Sequence, residues 1–309
     1  MSTSNSYDYN LTGSTIISEA LELIAVIGSG DTVDSNDQAS CLRTLNLMIK
    51  AWQAEGIGLW KNVEGTLFPS SGGYSYDIGP TGDHCASTAY KTEIATAASS
   101  GDSTIDVDSD DNITNGDYIG IELDDGTVQW TTVNGAPSGN TVTLTDSLTD
   151  DVAVDNHVYN YTSKIQRPLE IVEARKVSPA GYETPLRIIS RDEYMRLSDK
   201  DSTGSANQIY YDPIRTDGKM YVWPANNDVQ EYIKFTCRIL IEDFDAAAND
   251  PDFPQEWLLA ITWNLAVLIA PKFGKVTTEM FELKALAFKE AAKGFDMEDT
   301  SVYLKARTR

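Results

Sequence analysis

The chain is poor in the side chains that most often carry chemistry, with two histidines and three cysteines among 309 residues. Cys41, Cys85 and Cys237 are far apart and form no CxxC pair. This spacing argues against a zinc site, which needs clustered ligands, and against a disulfide framework. His84 precedes Cys85, but adjacent residues of an extended segment point to opposite faces, so they do not indicate a nucleophile and its base. We predict no metal, no cofactor and no catalytic residue.

Positive charge is also scarce. The chain has 24 Lys and Arg against 47 Asp and Glu, a formal net charge of -23. Affinity for DNA comes largely from Lys and Arg that neutralise phosphates, so this balance argues against a duplex-binding surface. It suits a channel through which DNA slides without sticking, and equally an ordinary acidic globular protein.

Long hydrophobic runs are absent. The most apolar stretch, Trp257–Ala270, is about 14 residues, short of the roughly 20 that span a bilayer. Residues 1–12 are polar and contain no Lys or Arg, which excludes a signal peptide in that segment. We therefore expect no membrane segment.

The first part of the chain, to about residue 68, has the pattern of a helical hairpin followed by a strand. A stripe of apolar residues at helical spacing predicts a first helix, which ends at Gly28-Ser29-Gly30. A second helix is predicted to open with the capping box Ser35-x-x-Gln38 and to end at Gly56. The short connection predicts that the two helices lie antiparallel. The residues of the first stripe are Ile16, Ile17, Ala20, Leu21, Ile24 and Ile27.

Residues 83–163 differ in composition and are predicted to form an inserted all-β barrel or sandwich. There is no Lys or Arg between Lys91 and Lys164. Asp125-Gly126 is a strong hairpin signal. Short β-rich runs recur at regular spacing: Thr104–Val107, Tyr118–Leu123, Val128–Val133, Thr141–Leu144 and Val158–Tyr161.

Two features of this insert leave alternatives open. An acidic cluster could suggest calcium, but it lacks the glycine and the final Glu of an EF-hand loop, and we interpret it as a solvated loop. Tyr118, Trp130 and Tyr159 either pack the interior of the module or form a surface for a glycan or a fibre. The acidic residues concerned are Asp106, Asp108, Asp110 and Asp111.

The remainder predicts strands and then a second pair of helices. In residues 165–245 one strand starts at Arg167, another spans Tyr182–Ile189, and a short helix follows at Arg191–Leu197. One antiparallel sheet is expected to be completed by Gln208–Asp212, Lys219–Trp223 and Tyr232–Ile241. One helix starts at Asp252-Phe253-Pro254 and ends at Gly274. Because it is apolar almost all round, it must be buried in the core or against a neighbouring subunit. The last helix begins near Thr277 and carries Phe281, Ala285, Phe288 and Ala292 on one face. The fold class is thus α+β, a helical bundle of two hairpins packed with a small antiparallel sheet, plus the inserted β module.

Several segments occur in a recognisable order along the chain. They are Met48–Ile57, Arg167–Ala174, Ile189–Tyr194, Tyr210–Pro213, Val222–Ala225 and Pro254–Gly274. In this order the chain resembles the head-to-tail adaptor family of short-tailed bacteriophages, which includes the tail accessory, packaged-DNA stabilisation proteins. The similarity covers roughly residues 12–80 and 165–293, and the β insert departs from the family pattern.

The resemblance implies a structural virion protein in the neck between capsid and tail, assembled in the host cytoplasm. It would form a ring, typically of about twelve copies, beneath the portal protein. Genomic DNA would pass through the lumen without tight binding, and a downstream tail or nozzle protein would follow. The adaptor core would comprise residues 1–82 and 164–293, and residues 294–309 would be a portal-docking tail. Portal contacts are expected at Tyr303, Leu304, Lys305, Arg307 and Arg309.

Packing between subunits is assigned to large aromatic side chains on the helices. The runner-up function is a tail-associated glycan-binding or glycan-cleaving protein. Paired carboxylates could cleave a glycan, and Glu55, Glu173, Glu242 and Asp243 are available, but carboxylates are too plentiful in this chain to be diagnostic. We predict that the protein is not an enzyme. The aromatic residues assigned to subunit packing are Trp52, Trp257, Trp263, Phe281 and Phe288.

Overall fold

The computed structural model describes residues 5–295 and has a mixed α/β fold with several sheets. The chain divides into two compact units. Unit 1 takes in residues up to Lys61 and from Ile241 onward, and unit 2 is Asn62–Leu240. The helices in this part of the chain are α1 (Gly13–Leu23), α2 (Ser35–Ala54), α3 (Arg191–Met195), α4 (Leu258–Ile269) and α5 (Glu279–Phe295).

Unit 1 is helical because four of these segments each bury an apolar stripe in one core. Helices α1, α2 and α4 contribute Ile16, Leu45, Trp52 and Ile261, all buried. The capping box predicted at Ser35 is wrong, because Ser35 is already the first residue of α2. The cap is Asp34, whose carboxylate accepts a hydrogen bond from the Asn36 N–H at 2.8 Å. An acceptor at this position satisfies a backbone donor that has no partner within the helix.

The helical segment that contains α4 ends at Gly274 as the sequence predicts, and α5 begins two residues after the predicted Thr277. Pro254 lies before a short 3-10 turn that leads into α4, and Gly274 ends the helical segment in the left-handed region with φ 65°. Only glycine adopts that region without a steric cost. Helix α5 turns the predicted face inward, with Ala285 and Ala292 buried in the core.

Gln255–Phe273 is the one helical segment within residues 5–295 that is long and apolar enough, by length and composition, to cross a membrane. It is 19 residues long, and 50% of its apolar window is buried inside the protein. The core helix of a soluble protein meets the same two criteria, and α4 packs on α1, α2 and α5.

Unit 2 is built of strands and the short helix α3. Three sheets run in the orders β11-β10-β15-β1-β3, β12-β13-β14-β2 and β7-β6-β9-β4-β5-β8. The strands are β1 (Asn62–Leu67), β2 (Ser75–Ile78), β3 (Cys85–Ala86), β4 (Tyr90–Thr96), β5 (Thr104–Val107), β6 (Tyr118–Glu122), β7 (Val128–Thr132), β8 (Thr141–Thr143), β9 (His157–Tyr161), β10 (Glu170–Val177), β11 (Glu183–Pro185), β12 (Arg187–Ile188), β13 (Gln208–Asp212), β14 (Gly218–Trp223) and β15 (Tyr232–Arg238).

The single antiparallel sheet predicted for residues 165–245 is wrong. Strands β13 and β14 pair with β2, whereas β10 and β15 pair with β1, so two sheets share this region. Strands β12 and β13 are parallel. Alternating residues of these strands face one apolar core that contains Leu67, Ile209, Val222 and Phe235, as the period of two in a strand requires.

The six-stranded sheet draws all of its strands from residues 90–161, within the predicted β insert, whose boundaries stay a prediction. The five β-rich runs named from the sequence are strands β5 to β9, and β4 was missed. The hairpin at Asp125-Gly126 is confirmed, because Gly126 has φ +81° between β6 and β7. Buried Ile and Val side chains from opposite strands, such as Ile94, Ile119 and Val142, form the core of this sheet.

Candidate interaction surfaces

Two of the aromatic residues assigned to packing between subunits lie in the core of unit 1. Trp52 is 4% exposed and Trp257 is 1% exposed, and their ring centroids are 5.6 Å apart. Phe253 packs on both rings. A neighbouring copy could reach neither indole without opening the unit. Burial of such rings stabilises the fold of one subunit.

The other three residues of that group lie where α4 meets α5. Trp263 packs against Phe281 and Phe288, with centroid distances of 4.6 and 5.4 Å. All three side chains are half-buried. The Lys284 ammonium lies 5.8 Å from the centre of the Trp263 ring, within the range of a cation–π contact. These residues therefore join two helices of one chain and keep part of their surface open.

A buried charge fixes α5 against α2. Lys289 is buried and donates to both carboxylate oxygens of Glu55, at 2.9 and 2.7 Å. Its ammonium is also 5.1 Å from the centre of the Trp52 ring. A buried lysine without a partner would be costly, so this contact specifies how α5 lies on α2.

The surface of unit 1 that is open to a partner consists of apolar side chains that the sequence analysis did not single out. Met280 and Leu283 are 67% and 53% exposed. At helical spacing these two residues share one side of α5 with Ala287 and Ala291, away from the buried Ala285 and Ala292. Exposed apolar side chains also occur on α4, at Leu259 and Leu268. The signal in the sequence is that α5 has two apolar stripes, of which only one is needed for the core.

A groove of about 360 Å³ in unit 1 lies beside this surface. Glu19 and Leu23 of α1 line one side of it, and Leu259 and Trp263 of α4 line the other. Tyr9 also lines it. Its walls are mostly apolar and it opens to solvent, so the four-helix unit exposes an apolar recess as well as an apolar helix face.

Unit 2 contains a larger groove, of about 520 Å³, with a different character. It is lined by Pro80, Tyr118, residues 162–167, residues 215–216 and Leu240. None of these lining residues is acidic, and three of them are cationic. The lining of this groove is therefore positively charged, although the chain has about twice as many acidic as basic residues. The sequence gives only a weak indication of this groove: Lys164 and Arg167 are the first cations after the stretch without Lys or Arg.

The three cations of this groove have different partners. Lys164 donates to Asp83 at 2.6 Å and lies 4.7 Å from the centre of the Tyr118 ring. The same ring stacks on Tyr161, at 5.1 Å between centroids. Arg167 and Arg215 form no ion pair with any residue in the range 5–295. Their guanidinium groups are the uncompensated charges of the groove.

The aromatic residues of the β insert are mainly packed inside unit 2. Tyr159 is 1% exposed, and its hydroxyl donates to the Val229 carbonyl at 2.9 Å. Trp130 is half-buried, with Phe68 5.9 Å and Tyr161 5.4 Å from its ring centre. Burial raises the pKa of Tyr159, because the charged phenolate is disfavoured away from water. The structure thus gives Tyr159 and Trp130 packing roles.

Three of the carboxylates considered for glycan cleavage have partners other than one another. Glu55 is paired with Lys289, and Asp243 with Lys50 at 2.6 Å, both within unit 1. Glu173 belongs to unit 2, where it accepts a hydrogen bond from Thr236 at 3.0 Å.

The chemistry considered for the acidic cluster and for Cys85 has little support in the geometry. Asp106 accepts a hydrogen bond from Thr141 at 2.6 Å, and no group of three or more His, Cys, Asp or Glu within residues 5–295 is arranged to hold a metal ion. Burial raises the pKa of the Cys85 thiol well above its ordinary range, so it is not a reactive thiolate.

The predicted portal contacts Tyr303, Leu304, Lys305, Arg307 and Arg309 lie outside the described residues. They remain predictions from the sequence.

Comparison with protein-family models gives no match, and comparison with curated proteins gives none either. Among solved structures, the chain is similar to the Gp54 tailspike of Acinetobacter baumannii bacteriophage AP22, in complex with A. baumannii capsular saccharide. The TM-score is 0.23 and the sequence identity is 16%. The similarity covers 26% of this chain and 16% of the tailspike chain. At this TM-score the similarity defines neither a shared fold nor a shared function.

Proposed function

We propose that the protein is a head-to-tail adaptor of a tailed bacteriophage, a structural subunit that forms a ring beneath the portal. In this proposal, α1 with α2 and α4 with α5 are the two helical hairpins of the adaptor core, and the β module of residues 83–163 is an elaboration. The ring extends the DNA channel and connects the head to the next tail component. It has no catalytic role.

The observation that carries the proposal is the second apolar face of α5. Met280 and Leu283 are exposed although the opposite face of the same helix already fills the core of unit 1. A monomer gains nothing from exposing these side chains, whereas a copy that packs on them removes their apolar surface from water. The groove between α1 and α4 is on the same unit and differs in shape from the α5 face. Two different apolar surfaces on one subunit favour a head-to-tail contact, which closes into a ring when the rotation allows it.

The charge of the chain supports the same proposal. A net charge of -23 disfavours binding of the phosphate backbone. A ring whose lumen is lined by carboxylates would repel the genome and let it pass. The segments that resemble the adaptor family lie in the helices of unit 1 and in the part of unit 2 that forms the five-stranded and four-stranded sheets.

The test is the mass of the purified protein alone and mixed with its portal ring, by native mass spectrometry or light scattering. The expected result is a protein that joins the portal ring in a fixed, closed number of copies. A protein that neither self-associates nor joins the portal, with or without residues 294–309, would overturn the proposal.

A pair of variants tests the α5 face directly. Met280→Ser combined with Leu283→Ser should reduce the number of copies on the portal while the melting temperature stays near that of the wild type, because both side chains are exposed. Tyr182→Ser combined with Val154→Ser is the matched control, since these side chains are exposed in unit 2. Equal assembly by all three proteins would exclude the α5 face as the subunit contact.

The alternative of a glycan-binding protein has less support from the same residues. Tyr159 is buried, and the half-buried Tyr118 ring already contacts Lys164 and Tyr161. A sugar that stacks on an aromatic ring needs an open face, which Tyr159 does not offer and for which Tyr118 already has two partners.

A further inference from the structure

We propose that the cationic groove of unit 2 binds an acidic segment of a partner protein, with Arg167 and Arg215 as the groups that recognise its carboxylates. This site goes beyond the proposed ring contact, which lies on unit 1, and it does not depend on that contact.

Charge is the first argument. The groove has three cations and no acidic lining residue, in a chain with 47 acidic and 24 basic residues. Lys164 is neutralised by Asp83, at 2.6 Å. Most cations of unit 2 have similar partners, as Arg175 has in Glu64 and Glu183. The two arginines of the groove are exceptions. Unpaired guanidinium groups that line one groove are complementary to a ligand with carboxylates.

The backbone that carries both arginines is held in place. Next to Arg167, the carbonyl of the buried Pro168 accepts a hydrogen bond from the Tyr211 hydroxyl at 2.6 Å. Two residues after Arg215, the Asp217 carboxylate accepts hydrogen bonds from the Thr81 N–H at 3.0 Å and its hydroxyl at 2.6 Å. This pair ties the Arg215 turn to the segment that contributes Pro80 to the groove. The two guanidinium groups therefore leave from fixed points, which lowers the entropy lost on binding.

The apolar residues that line the groove favour an acidic peptide over other anionic ligands. Pro80, Ile165 and Leu240 provide surface for the methylene groups of glutamate side chains. The ring of Tyr118 already stacks on Tyr161 and contacts the Lys164 ammonium, so a base that stacked on it would compete with these two contacts. Single-stranded nucleic acid relies on such stacking and on a longer line of cations. An acidic peptide needs neither, so it is the ligand that the groove fits best.

The experiment measures binding of a fluorescein-labelled octaglutamate peptide to the full chain by fluorescence anisotropy, at about 0.15 M salt. We expect saturable binding, and little binding of an octaglutamine peptide. Arg167→Gln combined with Arg215→Gln should weaken octaglutamate binding at least about tenfold, since each substitution removes a charged hydrogen-bond donor. Arg215→Gln alone, at an exposed position, should weaken it several-fold, and it gives the answer if the double variant does not fold.

Arg191→Gln is the matched control, an exposed arginine on α3 of the same unit that lies outside the groove. It should bind octaglutamate as the wild type does. The proposal fails if octaglutamate shows no saturable binding, or if Arg191→Gln loses as much affinity as the groove variants. It also fails if an oligothymidylate or an oligogalacturonate of the same charge binds more tightly than octaglutamate through the same two arginines.

Discussion

The Nδ1 atom of His84 is 3.2 Å from the indole nitrogen of Trp130, and the same atom is 2.9 Å from the carbonyl oxygen of Phe68. It cannot serve both groups at once. A protonated Nδ1 donates to Phe68, and an unprotonated Nδ1 accepts from Trp130. The choice of tautomer in this ring therefore selects one of two hydrogen bonds in unit 2.

Replacing Trp130 should mainly cost stability. Its ring packs on Phe68, His84 and Tyr161. We expect Trp130→Ala to lower the free energy of unfolding by about 3 kcal/mol, the cost of removing a large packed aromatic ring. Denaturant unfolding followed by circular dichroism measures this change. Tyr182→Ala, at an exposed aromatic residue of unit 2, should change stability little. A stable Trp130→Ala protein would place this ring on a binding surface.

The Trp130 ring leaves no space for a side chain at position 120, which is a glycine. Gly120 on β6 is paired with Trp130 on β7, and a Cβ added to Gly120 would lie 2.7 Å from a carbon of the indole. Gly120→Ala should therefore destabilise the protein by about 1–3 kcal/mol through overpacking. Gly204→Ala is the control, because its nearest neighbour would be 3.6 Å away. In a Trp130→Ala background the cost of Gly120→Ala should largely disappear, and unchanged costs in the double variant would contradict the steric explanation.

Stability should fall as the pH decreases below about 6.5, the ordinary histidine pKa. Burial lowers the pKa of both His84 and His157 in the folded protein. The Glu93 and Glu122 carboxylates, 3.7 and 3.9 Å from His157, act in the opposite direction, and Lys91 acts in the same direction as burial. A lowered pKa means that the unfolded chain takes up protons first, so the stability is fully present above the unfolded pKa and declines below it.

Unfolding curves between about pH 5 and 7 measure this slope. His84 and His157 are the two histidines of the chain, so His84→Gln combined with His157→Gln should flatten it. A wild-type protein that gains stability as the pH falls through this range would show that the imidazoles are charged in the folded state.

The N-terminal cap of α2 can be tested with two neighbouring residues. Asp34→Ala should lower the free energy of unfolding by about 1 kcal/mol, because it removes the acceptor for the Asn36 N–H. Ser35→Ala should change it by less than about 0.5 kcal/mol, because Ser35 is inside the helix. Thermal melts of the two variants give the comparison. If Ser35→Ala destabilised the protein more than Asp34→Ala, Ser35 would be the cap, as the sequence analysis predicted.

Local patterns in the sequence were enough to place the helices and most strands. The buried face of α5 and the end of the α4 segment at Gly274 follow from spacing and from glycine chemistry, and they were predicted. The cap of α2 was misplaced because Asp34 and Ser35 are both good caps one residue apart. Strand β4 was missed because its one buried side chain, Ile94, gives no alternating pattern.

Long-range pairing and the groove of unit 2 could not be predicted in this way. Strand β2 pairs with β14, and nothing in either segment specifies the other as its partner. Arg167 and Arg215 lie in one groove only because strands from distant parts of the chain bring their segments together. The exposed stripe on α5 was present in the sequence, but a stripe of apolar residues does not by itself show which side faces the core.

Unit 1 is assembled from the two ends of the described chain, and this has a consequence for its synthesis. The end of α2 leaves the ribosome roughly 200 residues before the start of α4, which takes on the order of ten to forty seconds at usual translation rates. During that interval Ile16, Ile17 and Leu45 lack α4, the helix that completes their core, while unit 2 is already complete. We therefore expect nascent chains of this protein to need a chaperone at their N-terminal end, and residues 62–240 to fold when expressed on their own.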